Sequence, residues 1–139
     1  MSVDHTYQVA VYLRGESLNP EDVTAELKIS PSVSQFKGES KVTSTNHSYK
    51  TKIGVWALKC ESVTSDLSPS IKEVIDAFKQ RSTSLMLIKN VEEAYLDIFI
   101  SAEAERQADT SYGIEIDSFS VSRIEKLGLS LKVTIAVVR

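Results

Sequence analysis

The chain has a single cysteine, Cys60, and only two histidines, His5 and His47, among 139 residues. One thiol cannot close an internal disulfide, which suits a reducing compartment such as the cytoplasm. One cysteine and two histidines also cannot assemble the usual zinc-ligand spacings. The five glycines are isolated from one another, so no glycine-rich loop is present to cradle a phosphate. No apolar run approaches the ~18 residues of a membrane span. The opening MSVDHTYQ lacks a basic stretch followed by an apolar core, so no secretory leader is expected. Neither histidine lies in a recognisable general-base context, so a catalytic triad is not expected. A formal charge of −3 argues against nucleic acid as the main partner. The chain is therefore expected to be no enzyme, with no metal and no cofactor.

What is present first is fold specification, clearest between Tyr12 and Gly38. Thr6 to Arg14 alternates with a period of two, which predicts a strand. Gly15 relieves the turn after it. Asn19 can cap a helix, with Pro20 at its first position and Glu21 and Asp22 facing the positive end of its dipole. Leu18 and Val23 are placed to close a hydrophobic staple. Pro31 biases Ser30 away from helix, so the predicted helix runs from Pro20 to about Lys28. Residues 32–51 are rich in Ser, Thr, Asn and Lys and read as a long polar loop, with room for a weak β-ribbon.

Ile53 to Cys60 is nearly all apolar and predicts a strand buried on both faces. Asp66 or Ser68 can cap the next helix, with Pro69 at its first position. Ile71, Val74, Ile75 and Phe78 then recur at helical spacing to about Gln80. Leu85 to Ile88 is an apolar knot, either a helical turn or a short strand. Ala94 to Ser101 alternates again. A third helix starts near Asp117 or Ser118, with Phe119 or Ser120, Ile124 and Leu127 facing inward. Gly128 suits its exit, with Leu129 closing on Ile124. The last strand, Leu129 to Val138, alternates Leu129, Leu131, Val133, Ile135 and Val137 against Ser130, Lys132, Thr134 and Ala136, so one face is expected in the core and one in water, at least at its start. These elements predict one α+β domain over residues 1–139. Its single, mostly antiparallel sheet carries short helices on one face, in a ferredoxin-like split β-α-β arrangement.

The pattern Gly15, Leu18, Pro20, Val23, Thr24, Ile29, Pro31, Gly38 and Trp56 resembles the bacterial domain-of-unknown-function family 4279. The helix, glycine and alternating strand of Ile124 to Val138 are also similar. The family has no established catalytic residues, so none carry over. Its link to toxin–immunity loci implies a cytoplasmic, toxin-neutralising role. The Ser/Thr/Lys segment between Gly38 and Trp56 departs from the family's more usual spacing.

Charge distribution points the same way. From Glu92 to Asp117 there are eight acidic residues against one basic, Arg106. The rest of the chain holds fifteen basic against eleven acidic. The 32–51 region and its exit carry Lys37, Lys41, Lys50 and Lys52 against Glu39. An acidic stretch steers a basic partner, such as a nuclease toxin, and can fill its phosphate-binding groove. The expected contact residues are Glu103, Glu105, Asp109, Glu115 and Asp117, with Tyr112 as an aromatic anchor. Two other readings stay open. One is a small-ligand or enzymatic site between the sheet and the 32–51 loop, using Trp56, Tyr49 and His47. The other is a homodimer paired through a strand edge.

Overall fold

The structure, a computed structural model, describes residues 5–60, 67–103 and 113–138. The chain opens with β1 (His5–Gly15) and α1 (Pro20–Leu27), whose cap forms as expected. Asn19 Oδ1 accepts from the Glu21 N–H at 2.9 Å, satisfying one of the orphan donors of the first turn. Leu18 and Val23 are both buried beneath it. Lys28 ends the helix in the left-handed region and donates its N–H to the Thr24 carbonyl.

The 32–51 region is built rather than loose. β2 (Val33–Gln35) joins the main sheet, while β3 (Ser40–Val42) and β4 (Ser48–Lys50) form a separate two-stranded ribbon. Thr51 ties the ribbon's base. Its hydroxyl donates to the Phe36 carbonyl and accepts from the Glu39 N–H, and the side chain is buried.

β5 (Gly54–Lys59) and α2 (Leu67–Asp76) follow. Asp66, a candidate cap, lies outside the described residues. Leu67 and Ser68 are already helical, so Pro69 does not open the helix and Ser68 does not cap it. The helix also stops earlier than its apolar spacing predicts. Ala77, Phe78 and Lys79 donate to carbonyls three residues back, which tightens the exit into turns. Arg123 takes up the Phe78 carbonyl at 3.3 Å, and Phe78 stays buried. The Leu85 knot resolves as a 3₁₀ turn (Leu85–Leu87), capped by Ser84. β6 (Glu93–Glu103), α3 (Ser118–Lys126) and β7 (Ser130–Val138) complete the chain. α3 closes as anticipated: Leu129 N–H reaches Ile124 O and Gly128 N–H reaches Glu125 O, the two bonds of a Schellman motif.

The main sheet has the order β2-β5-β1-β6-β7. β1 runs antiparallel to both β5 and β6, so those two are parallel to each other with β1 between them. With α2 as crossover, β5-α2-β6 is a split β-α-β unit. β6-α3-β7 differs, because its two parallel strands are direct neighbours. The fold is α+β, with a mostly antiparallel sheet whose one parallel pair lies at its β7 end. A single core forms on the helix side. Val9, Val11, Leu13, Trp56, Leu96, Ile98 and Ile100 from the strands meet Val23, Ile71, Val74, Phe78, Ile124 and Leu127 from the helical side. Each such side chain contributes about 1.5–3 kcal/mol when fully buried.

Strand β5 is not uniformly covered, as Val55, Leu58 and Lys59 are only half-buried. The larger departure is at β7. Leu131, Val133, Ile135 and Val137 pair in register with Leu96, Ile98, Ile100 and Ala102, so they face the helix side. Yet they remain 42–58% exposed, while Leu96, Ile98 and Ile100 are at 0%. Alternation gives a side chain's direction, but it does not supply a covering element.

Candidate partner-binding surface

The expected acidic site leads to α3. Asp117 adopts the extended backbone of an N-cap, and its Oδ1 accepts from the Ser120 N–H at 2.7 Å. The same carboxylate lies 3.7 Å from Lys72 Nζ, which joins the entry of α3 to α2. The Ser120 N–H and hydroxyl, with a smaller contribution from Lys72, hold the Asp117 carboxyl below the usual carboxylate range.

Helix phase then sorts the side chains. Ser120, Ile124 and Leu127 are buried and share one face at spacings of four and three. Ser120, and not Phe119, therefore takes the inward position. Phe119 sits about a quarter-turn round and is 67% exposed, with Val121 at 51% on the other side. Ile114 is also exposed, and Glu115 beside it faces solvent. Ile116 turns in and packs on the core. Within eight residues the chain thus presents three outward apolar side chains and an outward carboxylate. Apolar anchors with a charged surround are the anatomy of a protein-recognition patch.

The other acidic residues go to different places. Glu103 closes β6, opposite Val138 in register. Glu105, Asp109 and Tyr112 lie outside the described residues. Glu92 accepts from the Glu16 N–H at the end of β1. Glu93 is shared by Arg14 at 3.5 Å and Lys132 at 3.6 Å. Asp97 stands on the sheet face away from the helices, in a row that reads Lys59, Ala10, Asp97, Lys132. Burial pushes its carboxyl above the ordinary range, while Lys132 and Lys59 pull the other way. The same face carries Tyr12 stacked on Tyr95 at 5.3 Å, with Lys132 Nζ 4.0 Å from the Tyr95 ring. Of the acidic stretch, Glu92, Glu93, Asp97 and Asp117 therefore have local structural employment. Glu115 is the described member that stands free on the surface of α3's approach.

The residues considered for a ligand site are not gathered together. Trp56 is fully buried, with its ring edge-on to Phe78 at 6.2 Å. Tyr49 is half-exposed on β4, and His47 lies in the ribbon's turn, where its N–H donates to the Thr43 hydroxyl. A cavity of about 340 Å³ does open between α1 and β2, lined by Pro20, Glu21, Thr24, Pro31, Ser34 and Phe36. Among the described residues its lining is largely apolar or neutral, with Glu21 the one ionisable side chain. A second, of about 370 Å³, separates the ends of α1 and α2. There Arg81 is held by Glu26 at 2.9 Å and by the Thr83 and Ser84 carbonyls. Cys60 is buried, with Sγ 3.2 Å from Glu73 Oε2. Among the described residues, no cluster of three His, Cys, Asp or Glu side chains could hold a metal, and no helix is long and apolar enough to cross a membrane.

Sequence reasoning left Phe119 undecided and did not single out Val121 or Ile114. Ile124 and Leu127 carried enough phase to do so. Stepping four back from Ile124 selects Ser120 and leaves Phe119 outside.

No match to a curated protein or to a solved structure was found. Residues 5–138 match the family model described as Domain of unknown function (DUF4279), and the chain belongs to that family.

Proposed function

We propose that this chain is a non-catalytic binding protein, and specifically an immunity protein that neutralises a cognate bacterial toxin by direct contact in the cytoplasm. One observation carries this reading: Phe119 is 67% exposed on the first turn of α3, directly after the acidic stretch. An aromatic ring in water gains most when it enters a partner's pocket, and a surrounding charge sets orientation and encounter rate. In this reading Phe119 and Val121 are the anchors. Glu115 provides outward charge, and Glu103, Glu105, Asp109 and Tyr112 extend the contact along the preceding chain. Asp117 acts mainly by fixing the start of α3, since its carboxylate is already engaged by Ser120 and Lys72. The partner is expected to be basic, such as a nuclease whose phosphate-binding groove the carboxylates fill.

The test is co-expression of the tagged full chain with the product of the neighbouring gene. A complex should form, should weaken as salt rises, and should lose at least tenfold in affinity with Glu115→Lys. Growth protection should fall with it. A complex indifferent to salt and to Glu115→Lys would remove the electrostatic part of the reading. A small molecule that strongly stabilises the chain, with no protein partner captured, would favour a ligand-binding role.

A further inference from the structure

The outer edge of β7 carries no partner strand among the described residues. Its N–H and C=O groups on that side form a template for another strand. Protected edges usually have prolines, bulges, short length or several charges. β7 is nine residues long, SLKVTIAVV, with no proline and one charge, Lys132. That charge is drawn inward, 3.6 Å from Glu93 and over the Tyr95 ring. Beside the open edge stand the half-exposed Leu131, Val133, Ile135 and Val137.

We propose that β7 pairs antiparallel with β7 of a second copy, about a two-fold axis at Thr134, joining two five-stranded sheets into one of ten strands. This inference does not rest on the immunity reading and uses a different surface. The choice of a second copy follows from the strand's own pattern. A two-fold axis normal to the sheet sets opposed residues on the same face, so it must lie midway between the two copies of a single residue. Thr134 is the centre of Ser130–Val138, and only that centre pairs every residue of the strand. It sets Leu131 against Val137 and Val133 against Ile135, so all four apolar side chains meet apolar partners. It sets Lys132 against Ala136, so the one charge never faces itself. An axis at Lys132 would oppose two ammonium groups and leave the second half of the strand unpaired.

Light scattering on the full chain at high micromolar concentration tests this. The expected mass is twice the 15.4 kDa of one chain. Val133→Lys places a charge in the apolar row and should return the mass to that of one chain, with circular dichroism reporting that the fold persists. Should that variant fail to fold, cysteine scanning decides. Thr134→Cys should oxidise to a covalent dimer, because directly opposed residues sit about 5.5 Å apart or less between Cα atoms, within disulfide reach. Ala136→Cys, opposite Lys132, should not. A wild-type mass of one chain would overturn the proposal and leave the edge to a strand from another protein. Equal crosslinking at 134 and 136 would overturn the register.

Discussion

Trp56 donates its indole N–H to Thr24 Oγ1 at 3.1 Å, the side-chain hydrogen bond that joins the buried face of β5 to α1. The ring is fully buried, so its one polar group has no water to fall back on. Thr24→Val keeps the shape and removes the acceptor. It should cost about 1–3 kcal/mol, the penalty for a buried donor left unsatisfied. Thr24→Ser should recover most of that. Urea titration followed by Trp56 fluorescence measures both.

Gly15 and Gly54 are partners in the β1–β5 register, and each receives a foreign carbonyl where a Cβ would stand. An added Cβ would lie 2.0 Å from Asn90 O at Gly15 and 2.0 Å from Leu18 O at Gly54. Neither obstacle is a flexible side chain. Gly54→Ala should therefore cost about 1–3 kcal/mol, as overpacking against fixed neighbours does. Gly38→Ala is the contrast. There the space is open and only its positive φ of 87° opposes the change, so the loss should be smaller. Thermal melts of the three proteins order them.

Two carboxylates should bend the pH–stability curve in opposite senses. The Asp117 carboxyl is held low in the folded state, chiefly by the Ser120 N–H. Its contribution is present above the unfolded carboxylate range and is lost as pH falls through its folded value. The Asp97 carboxyl is raised by burial. Its favourable contribution is complete below the unfolded value and is lost as pH rises through the folded one. Asp97→Asn should thus stabilise the protein at neutral pH, with the gain vanishing in acid. Asp117→Asn keeps a capping oxygen and loses the charge, so it should lower stability at neutral pH and flatten the acid limb. Denaturant midpoints across the carboxylate range check both signs.

Local signals made most of the fold legible. Asn19-Pro20 set the start of α1, Gly128 set the end of α3, and strict alternation set β1, β6 and β7. The 32–51 region was legible only in outline, because β2 is held by pairing to β5 and the β3–β4 ribbon is tied at its base by Thr51. Those contacts are distant in sequence and carry no period. Beyond the end of α2 the Phe78 carbonyl accepts from the Arg81 N–H and from Arg123, the latter across forty-five positions, and no local pattern reports that second contact. The sequence shows where the acidic residues of the candidate surface lie along the chain, but not where the fold sends their side chains. A run of acids in sequence became a sheet-face row at Asp97, a turn contact at Glu92 and a helix cap at Asp117. The apolar members of the surface, Phe119 and Val121, were implicit in the phase that Ile124 and Leu127 define.

In the proposed complex the exposed ring of Phe119 enters the protein partner. The most direct measurement is titration calorimetry of the neighbouring gene's product against three forms of the chain: wild type, Phe119→Glu and Leu87→Glu. Leu87 is 71% exposed on the 3₁₀ turn and serves as an equally apolar surface position outside the proposed contact. Phe119→Glu should abolish measurable binding while Leu87→Glu binds like wild type, with all three melting at similar temperatures. Wild-type affinity in Phe119→Glu would contradict the proposed contact.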